Sequence, residues 1–253
     1  MADDKGNPHL DGFKVGLIIP SLNTTTEPEF AWIAPPRISF HAARVFMDVT
    51  TAEALRTMNA EVHRASELLA TLSPDVVAYA CTSGSFVDGP TGTKQLVEGI
   101  ASIVKCPVVA TSVAMIAALQ HLGVRRCALA TPYPRDITEQ ERQFLVKNGL
   151  EVVSTVCLEK SGAAIRQTPR DQVEALIRSA DRPSAEAIFA SCTDLRALEV
   201  VDRLERELGK PILTSNQVTL WAVLKSLNVG TSIRGFGRLL SGGSRGEILD
   251  VAL

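Results

Sequence analysis

The sequence predicts an α/β fold of two pseudosymmetric halves, each built on a parallel sheet, with the active site in the cleft between them. Three observations carry this. Short β-branched apolar runs recur along the chain, helical patterns lie between them, and landmarks of the first half return in the second at a near-constant offset. Apolar runs that are continuous rather than alternating suit strands covered on both faces. Their alternation with helices makes the sheets parallel.

Taken in order, the strand candidates are "FKVGLIIP" (13–20), "DVVAYAC" (75–81), "CPVVAT" (106–111), "RCALAT" (126–131), "EVVSTV" (151–156), "EAIFASC" (186–192) and "KPILT" (210–214). Residues 51–72 place Leu55, Met58, Val62, Ala65, Leu69 and Leu72 on one helical face, and Thr50 with Glu53 has capping-box spacing. Ser112 is placed to cap a helix that Gly123 ends, and Asp136 with Glu139 to open one that stops near Gly149. Thr168 and Pro169 open another, and a sixth runs from Asp194 to Leu208 with Gly209 beyond. The proline-rich stretches "EPEFAWIAPPR" (27–37) and "GPTGTKQ" (89–95) read as loops and candidate lids.

The internal repeat aligns Pro20 with Pro132, Cys81 with Cys192, and Pro107 with Pro211, at offsets of 112, 111 and 104 residues. The expected division is residues 1–110 plus 215–253 for one half and 111–214 for the other. Cys81 and Cys192 then occupy equivalent places at the carboxyl ends of equivalent strands, where open α/β sheets bind ligands. An approximate twofold would present both thiols to one cleft.

Composition narrows the partner. Of 253 residues, 45% are hydrophobic and 21% charged, and the formal net charge is -2 with signs interspersed, as in a soluble globular protein. A nucleic-acid surface needs a basic face to neutralise phosphates, so a small-molecule partner is expected and nucleic acid is not. The stretch "MADDKGNPHLDG" lacks the layout of a secretory signal, and no apolar run approaches the roughly 18 residues of a membrane span. A cytoplasmic protein with no membrane partner is the expectation. Five widely spaced cysteines without a CxxC pair disfavour a disulfide framework and a structural zinc site.

Cys81 and Cys192 each end an apolar run and each precede a threonine. A thiol at a strand end just before a helix lies near free backbone N–H groups and the positive end of the helix dipole, which draw its pKa from about 8.5 towards neutrality. Thr82, Ser83 and Ser85 offer hydroxyls, Gly84 offers close backbone approach, and Thr193 serves the other half. Such a nest suits a carboxylate.

Two facing thiols permit two chemistries. One thiolate and one thiol act as base and acid on opposite faces of a carbon, or one thiolate adds to an activated C=C bond, allows rotation, and leaves. Neither requires a metal or organic cofactor, and the sequence has no GxGxxG, P-loop or HExxH motif, nor ligand spacing among its four histidines. A carboxylate-binding protein without chemistry is the reading from another class. Cys106, Cys127 and Cys157 read as core or spacer thiols at or within strand starts, His63 as solvated, and "SGGSRG" (241–246) as a turn.

"GLIIPSLNTTTEPE" (16–29), "ACTSGSF" (80–86), "SCTDLRAL" (191–198) and "TSNQVTLWAVLK" (214–225) resemble, in order, segments of the maleate cis/trans isomerase family in the aspartate/glutamate racemase superfamily. The resemblance implies a cofactor-independent isomerase of a small unsaturated dicarboxylic acid. Cys81 would be the nucleophile that forms a succinyl-like adduct, and Cys192 its acid/base partner. Ser21 and Asn23 in the first loop, Thr82 and Ser83 after Cys81, and Tyr133 and Thr193 in the second half would bind substrate. The resemblance and the apolar helices both imply a homodimer or larger assembly. One departure stands out: Ser161 and Gly162 occupy the place where the family usually carries an asparagine. A two-cysteine amino-acid or hydantoin racemase and an arylmalonate-decarboxylase-like enzyme are the alternatives. Decarboxylases of that kind resemble the chain but have glycine at the place of Cys81.

Overall fold

The protein is described by a computed structural model over residues 11–230 and 232–242. In chain order the elements are β1 (Phe13–Pro20), α1 (Thr26–Ile33), β2 (Ile38–Val45), α2 (Ala52–Ala60), α3 (Val62–Ala70), β3 (Val76–Tyr79), α4 (Thr82–Phe86), α5 (Gly89–Val104), β4 (Val108–Ala110) and α6 (Thr111–His121). They continue with β5 (Arg126–Thr131), α7 (Arg135–Lys147), β6 (Glu151–Cys157), a 3-10 turn (Gly162–Ala164), α8 (Arg170–Ala180), β7 (Ala187–Ala190), α9 (Leu198–Leu208), β8 (Ile212–Thr214), α10 (Ser215–Ser226) and α11 (Gly237–Leu240).

Both sheets have four strands in the same order, β2-β1-β3-β4 and β6-β5-β7-β8, and every pairing is parallel. The repeat read from the prolines and cysteines is therefore a repeat of topology. The inner strands β3 and β7 are buried along their whole length, because helices cover both faces. Helix α10 packs on α6 and reaches β3, β4 and β8. Thr111 on α6 and Thr219 on α10 share a hydrogen bond of 2.9 Å.

Several elements differ from expectation. Strand β2 was not among the candidate strands; it is an edge strand paired only with β1, so Ser39, His41 and Arg44 interrupt its apolar pattern without harm. The helix expected over 51–72 breaks at Glu61, and its cap is Thr51, whose hydroxyl accepts from Ala54 N, rather than Thr50. Ser112 lies inside α6, which starts one residue earlier without a side-chain cap. Cys157 closes β6 instead of opening it. The two candidate lids are largely helical: 27–33 lie in α1 and 89–95 in α5. Pro28 and Pro90 sit in first turns, where a missing N–H costs least. Helix α9 starts at Leu198, four residues after Asp194. Of the turn expected at 241–246, Ser241 and Gly242 form a turn and the rest lies outside the described residues. Among the described residues, no helix is long and apolar enough to cross a membrane.

A buried acid joins α1 to α10. Glu29 Oε2 accepts from Asn216 Nδ2 at 2.7 Å, while Oε1 is buried without a partner. Burial pushes the Glu29 carboxyl up to about 8, only partly offset by Asn216. The folded state thus holds a proton that the unfolded chain releases near the ordinary carboxylate range, and stability falls as pH rises from about 4.5 through 8. Glu29→Gln removes this term, so the Tm difference between pH 5 and pH 8.5, read by calorimetry, should shrink; an unchanged difference would refute it.

Candidate active site

The carboxyl ends of both sheets face one cavity. Pro20 and Asn23 reach it from the end of β1, Cys81, Thr82 and Ser83 from the end of β3, Tyr133 from the end of β5, and Cys192, Thr193 and Asp194 from the end of β7. Leu22, Met47, Thr50, Gly162 and Ile165 complete the wall of a small cavity. Among the described residues, no lysine, arginine or histidine lines it. Two guanidinium groups stand behind the first loop instead: Arg44 Nη1 donates to Asn23 O at 2.8 Å, and Arg166 Nη1 to Leu22 O at 3.1 Å.

Cys81 caps α4, and its sulfur accepts from Gly84 N at 3.4 Å. The close approach at Gly84 serves Tyr79: a Cβ there would stand 2.3 Å from the Tyr79 hydroxyl oxygen and 2.6 Å from Met58 Cε. The glycine expected to make room for a ligand thus makes room for the Tyr79 ring and hydroxyl, which lie beside Cys81. No helix begins directly after Cys192, because α9 starts only at Leu198. Cys192 has φ +91, a conformation that side chains avoid and that concentrates at functional sites. Its N–H donates to Ser215 Oγ at 2.9 Å, and its sulfur accepts from Asp194 N at 3.4 Å.

The expected lowering of the thiol pKa is reversed in the ligand-free site. Burial pushes Cys81 up to about 11, with the Gly84 N–H, Ser83 and Tyr79 opposing. Cys192 is pushed further up, first by burial and then by the Asp194 carboxylate, against the Asp194 N–H and Tyr133. Desolvation outweighs the few N–H donors that the strand ends provide.

The other anticipated residues divide by position. Thr193 Oγ1 donates to Ala80 O at 3.2 Å and accepts from Asn23 Nδ2 at 3.1 Å, binding the second half's loop to the first half's strand. Asn23 Nδ2 also donates to Thr26 Oγ1, and its Oδ1 accepts from the N–H groups of Thr25 and Thr26, so the amide orders the start of α1 as well as lining the cavity. Ser21 is not at the wall; its hydroxyl exchanges hydrogen bonds with the Met47 backbone. Ser85 turns away to Thr82 O.

Gly162 does line the cavity, at φ +54, and a Cβ there would come within 2.3 Å of Asp48 O. Ser161 Oγ accepts from Thr50 N at 2.6 Å. All five cysteines are free, and among the described residues no group of three or more histidine, cysteine or acidic side chains is arranged to hold a metal ion.

The model of the Amdase family, described as arylmalonate decarboxylase, matches residues 15–240. The chain belongs to this family. A maleate isomerase of Geobacillus stearothermophilus is 30% identical over 246 residues, which cover 91% of this chain and 98% of that protein. The Nocardia farcinica maleate cis-trans isomerase, solved as a cysteine-to-serine mutant with a covalently bound succinylcysteine intermediate, is 29% identical with TM-score 0.88 over 92% of this chain and 99% of that one. The maleate isomerase of Pseudomonas putida S16, solved with maleate, is 28% identical with TM-score 0.88 over 92% of this chain and 98% of that one.

Sequence reading missed four members of the site's surroundings. Ser215 accepts from Thr82 Oγ1 at 2.8 Å as well as from Cys192 N. Asp194 Oδ1 accepts from Thr24 N and Thr25 Oγ1 across the cleft, while Oδ2 is buried without a partner. Tyr79 and Glu141 lie behind the cysteines. Asp194 adjoins a Cys-Thr pair and Ser215 lies in the 214–225 segment singled out above; Tyr79 and Glu141 carried no signal of a site.

The raised thiol sets a pH dependence. In the ligand-free protein, carbamidomethylation of Cys81 should be slow at pH 7 and rise about tenfold per pH unit towards 11, as the thiolate fraction does. Peptide mass spectrometry after short exposures reads the rate, and a plateau below pH 8 would refute the assignment.

Proposed function

We propose that this protein is a cofactor-independent cis/trans isomerase of a small unsaturated dicarboxylic acid, of the maleate-to-fumarate type, acting through Cys81. The observation that carries the reading is the pair of buried thiols at matching strand ends of two matching sheets, facing one small cavity. The relatives named above support it, among them the one solved with a succinylcysteine.

The substrate enters with one carboxylate towards Thr82, Ser83 and Asn23 and the other towards Tyr133 and Thr193. At Asn23 a carboxylate takes over an amide hydrogen now given to Thr193. Backbone N–H and hydroxyl donors meet both anions, with Arg44 and Arg166 adding positive charge from behind the loop. The Cys81 thiolate forms an S–C bond to one vinyl carbon, the C=C electron pair moves to the other, and that carbon takes the proton of Cys192. The product is a succinyl thioether with a rotatable single bond. Rotation, return of the proton to Cys192 and loss of Cys81 give the trans alkene. Gly84 N–H and Ser83 beside the Cys81 sulfur favour the thiolate, and binding closes the site against water.

Two facing thiols also suit two-base racemisation, which differs in a way solvent reveals: racemisation exchanges the substrate's α-hydrogen with deuterated water. The assembly proposed is a homodimer or larger, with a small carboxylate as the only substrate partner.

Proton NMR of maleate in deuterated buffer tests the reading. Fumarate should accumulate with the native protein and not with Cys81→Ser; full activity of that variant would sink both chemistries. Cys192→Ser should slow turnover by roughly 10²- to 10⁴-fold, as for a lost acid/base group, and an unchanged rate would leave a one-thiol mechanism. If maleate is inert, deuterium appearing at the α-carbon of chiral α-substituted acids would favour the racemase.

A further inference from the structure

Each thiol lies beside a buried tyrosine, and the two tyrosines are wired differently. The Tyr79 hydroxyl, which meets the Cys81 sulfur, bonds Asn59 Oδ1 at 2.5 Å, and Asn59 Nδ2 donates to Gly84 O at 2.9 Å. That run ends in a neutral amide and the backbone. The Tyr133 hydroxyl meets both the Cys192 sulfur and Ser191, and Ser191 Oγ donates to Glu141 Oε1 at 2.7 Å. This second run ends in a carboxyl group.

Glu141, on α7, is wholly buried, and its Oε2 is buried with no hydrogen-bond partner. The titratable groups that face it are Cys127 on β5 and Tyr133 after it, neither of them a cation. Burial pushes Glu141 up to about 8 with only Ser191 opposing, so it is a carboxylic acid at neutral pH. A buried acid that keeps its proton at neutral pH, two hydroxyls from a thiol that must give and regain one, has a chemical use.

We propose that Glu141 is a positioning residue that holds a proton in reserve for Cys192, passed through Ser191 and Tyr133. This rests on Cys192 being the proton-transfer partner in the reaction above. When Cys192 gives its proton to the substrate carbon, the Tyr133 hydroxyl proton moves to the Cys192 sulfur. The Ser191 hydroxyl turns to give its proton to the Tyr133 oxygen, and the Glu141 carboxyl rotates to bring its acid hydrogen, carried on the unpartnered Oε2, to the Ser191 oxygen, which takes it. Glu141 ends as a carboxylate and Cys192 as a thiol; elimination reverses every transfer. The Cys81 run has no acid at its end, so the wiring itself separates the proton-handling thiol from the nucleophile.

Glu141→Gln tests this, because the amide still accepts from Ser191 but cannot release a proton. The first readout is independent of turnover: the rate of Cys192 alkylation against pH, from mass spectrometry of its peptide. The native protein should show an inflection near pH 8, where Glu141 ionises, and the variant should lack it. The second is kcat for maleate, which should fall about tenfold or more with KM within about twofold, and lose its change near pH 8. Ser191→Ala cuts the same run at another atom and should remove the same inflection, which keeps the test open if Glu141→Gln does not fold. If both soluble variants keep the inflection and the rate, Glu141 only fills the core and the proposal falls. If the native protein does not turn over maleate, the isomerase reading fails while the alkylation profile still decides the role of Glu141.

Discussion

Ser215, buried at the start of α10, accepts two hydrogen bonds at one oxygen, from the Thr82 hydroxyl of the first half and the Cys192 N–H of the second. Position in sequence places it in neither cysteine loop, yet both are fixed to it. With Thr193 Oγ1 bound to Ala80 O, it sets where the two thiols stand relative to one another. The unusual φ of Cys192 persists because its N–H and the residues that follow, Thr193 and Asp194, are held from outside the loop. Loss of the Ser215 acceptor leaves two buried donors without partners, a larger penalty than one weak bond.

The electrostatics of the cleft follow from dryness. Burial is the first cause of the raised pKa of Cys81, Cys192, Glu29, Glu141 and Asp194 alike. Burial of this kind opposes charge on each of these groups. The cleft's donors are backbone N–H groups and hydroxyls, and its cations stand one layer back behind the 21–23 carbonyls. A ligand that carries negative charge would meet a pocket whose dipoles are already oriented.

Much of the fold was legible in the sequence because buried parallel strands write themselves as apolar runs, and because Pro20, Cys81 and Pro107 return as Pro132, Cys192 and Pro211. The edge strand β2 was not legible: five of its eight residues are partly or fully exposed, so Ser39, His41 and Arg44 break the pattern. Proline was misleading at Pro28 and Pro90, since a helix start and a loop use it alike. Of the site, the Cys-Thr pairs were visible, whereas Tyr79, Ser191 and Glu141 were not, because a relay behind a thiol depends on packing between elements and leaves no spacing rule. The thiol pKa was misjudged for the same reason: a sequence displays the strand end but not how completely it is covered.

The identical strand order on both sides of the cleft gives the molecule the layout of a dimer fused into one chain. A true dimer of identical units must give both of its thiols the same neighbours, since any change in one copy is repeated in the other. A single chain lifts that restriction. Asn59 and Glu141 are separately encoded, and so are Gly84 and Asp194, one on each side of the pseudo-axis. Broken symmetry of this sort lets the surroundings of the two thiols diverge, while the sheets that hold them stay alike.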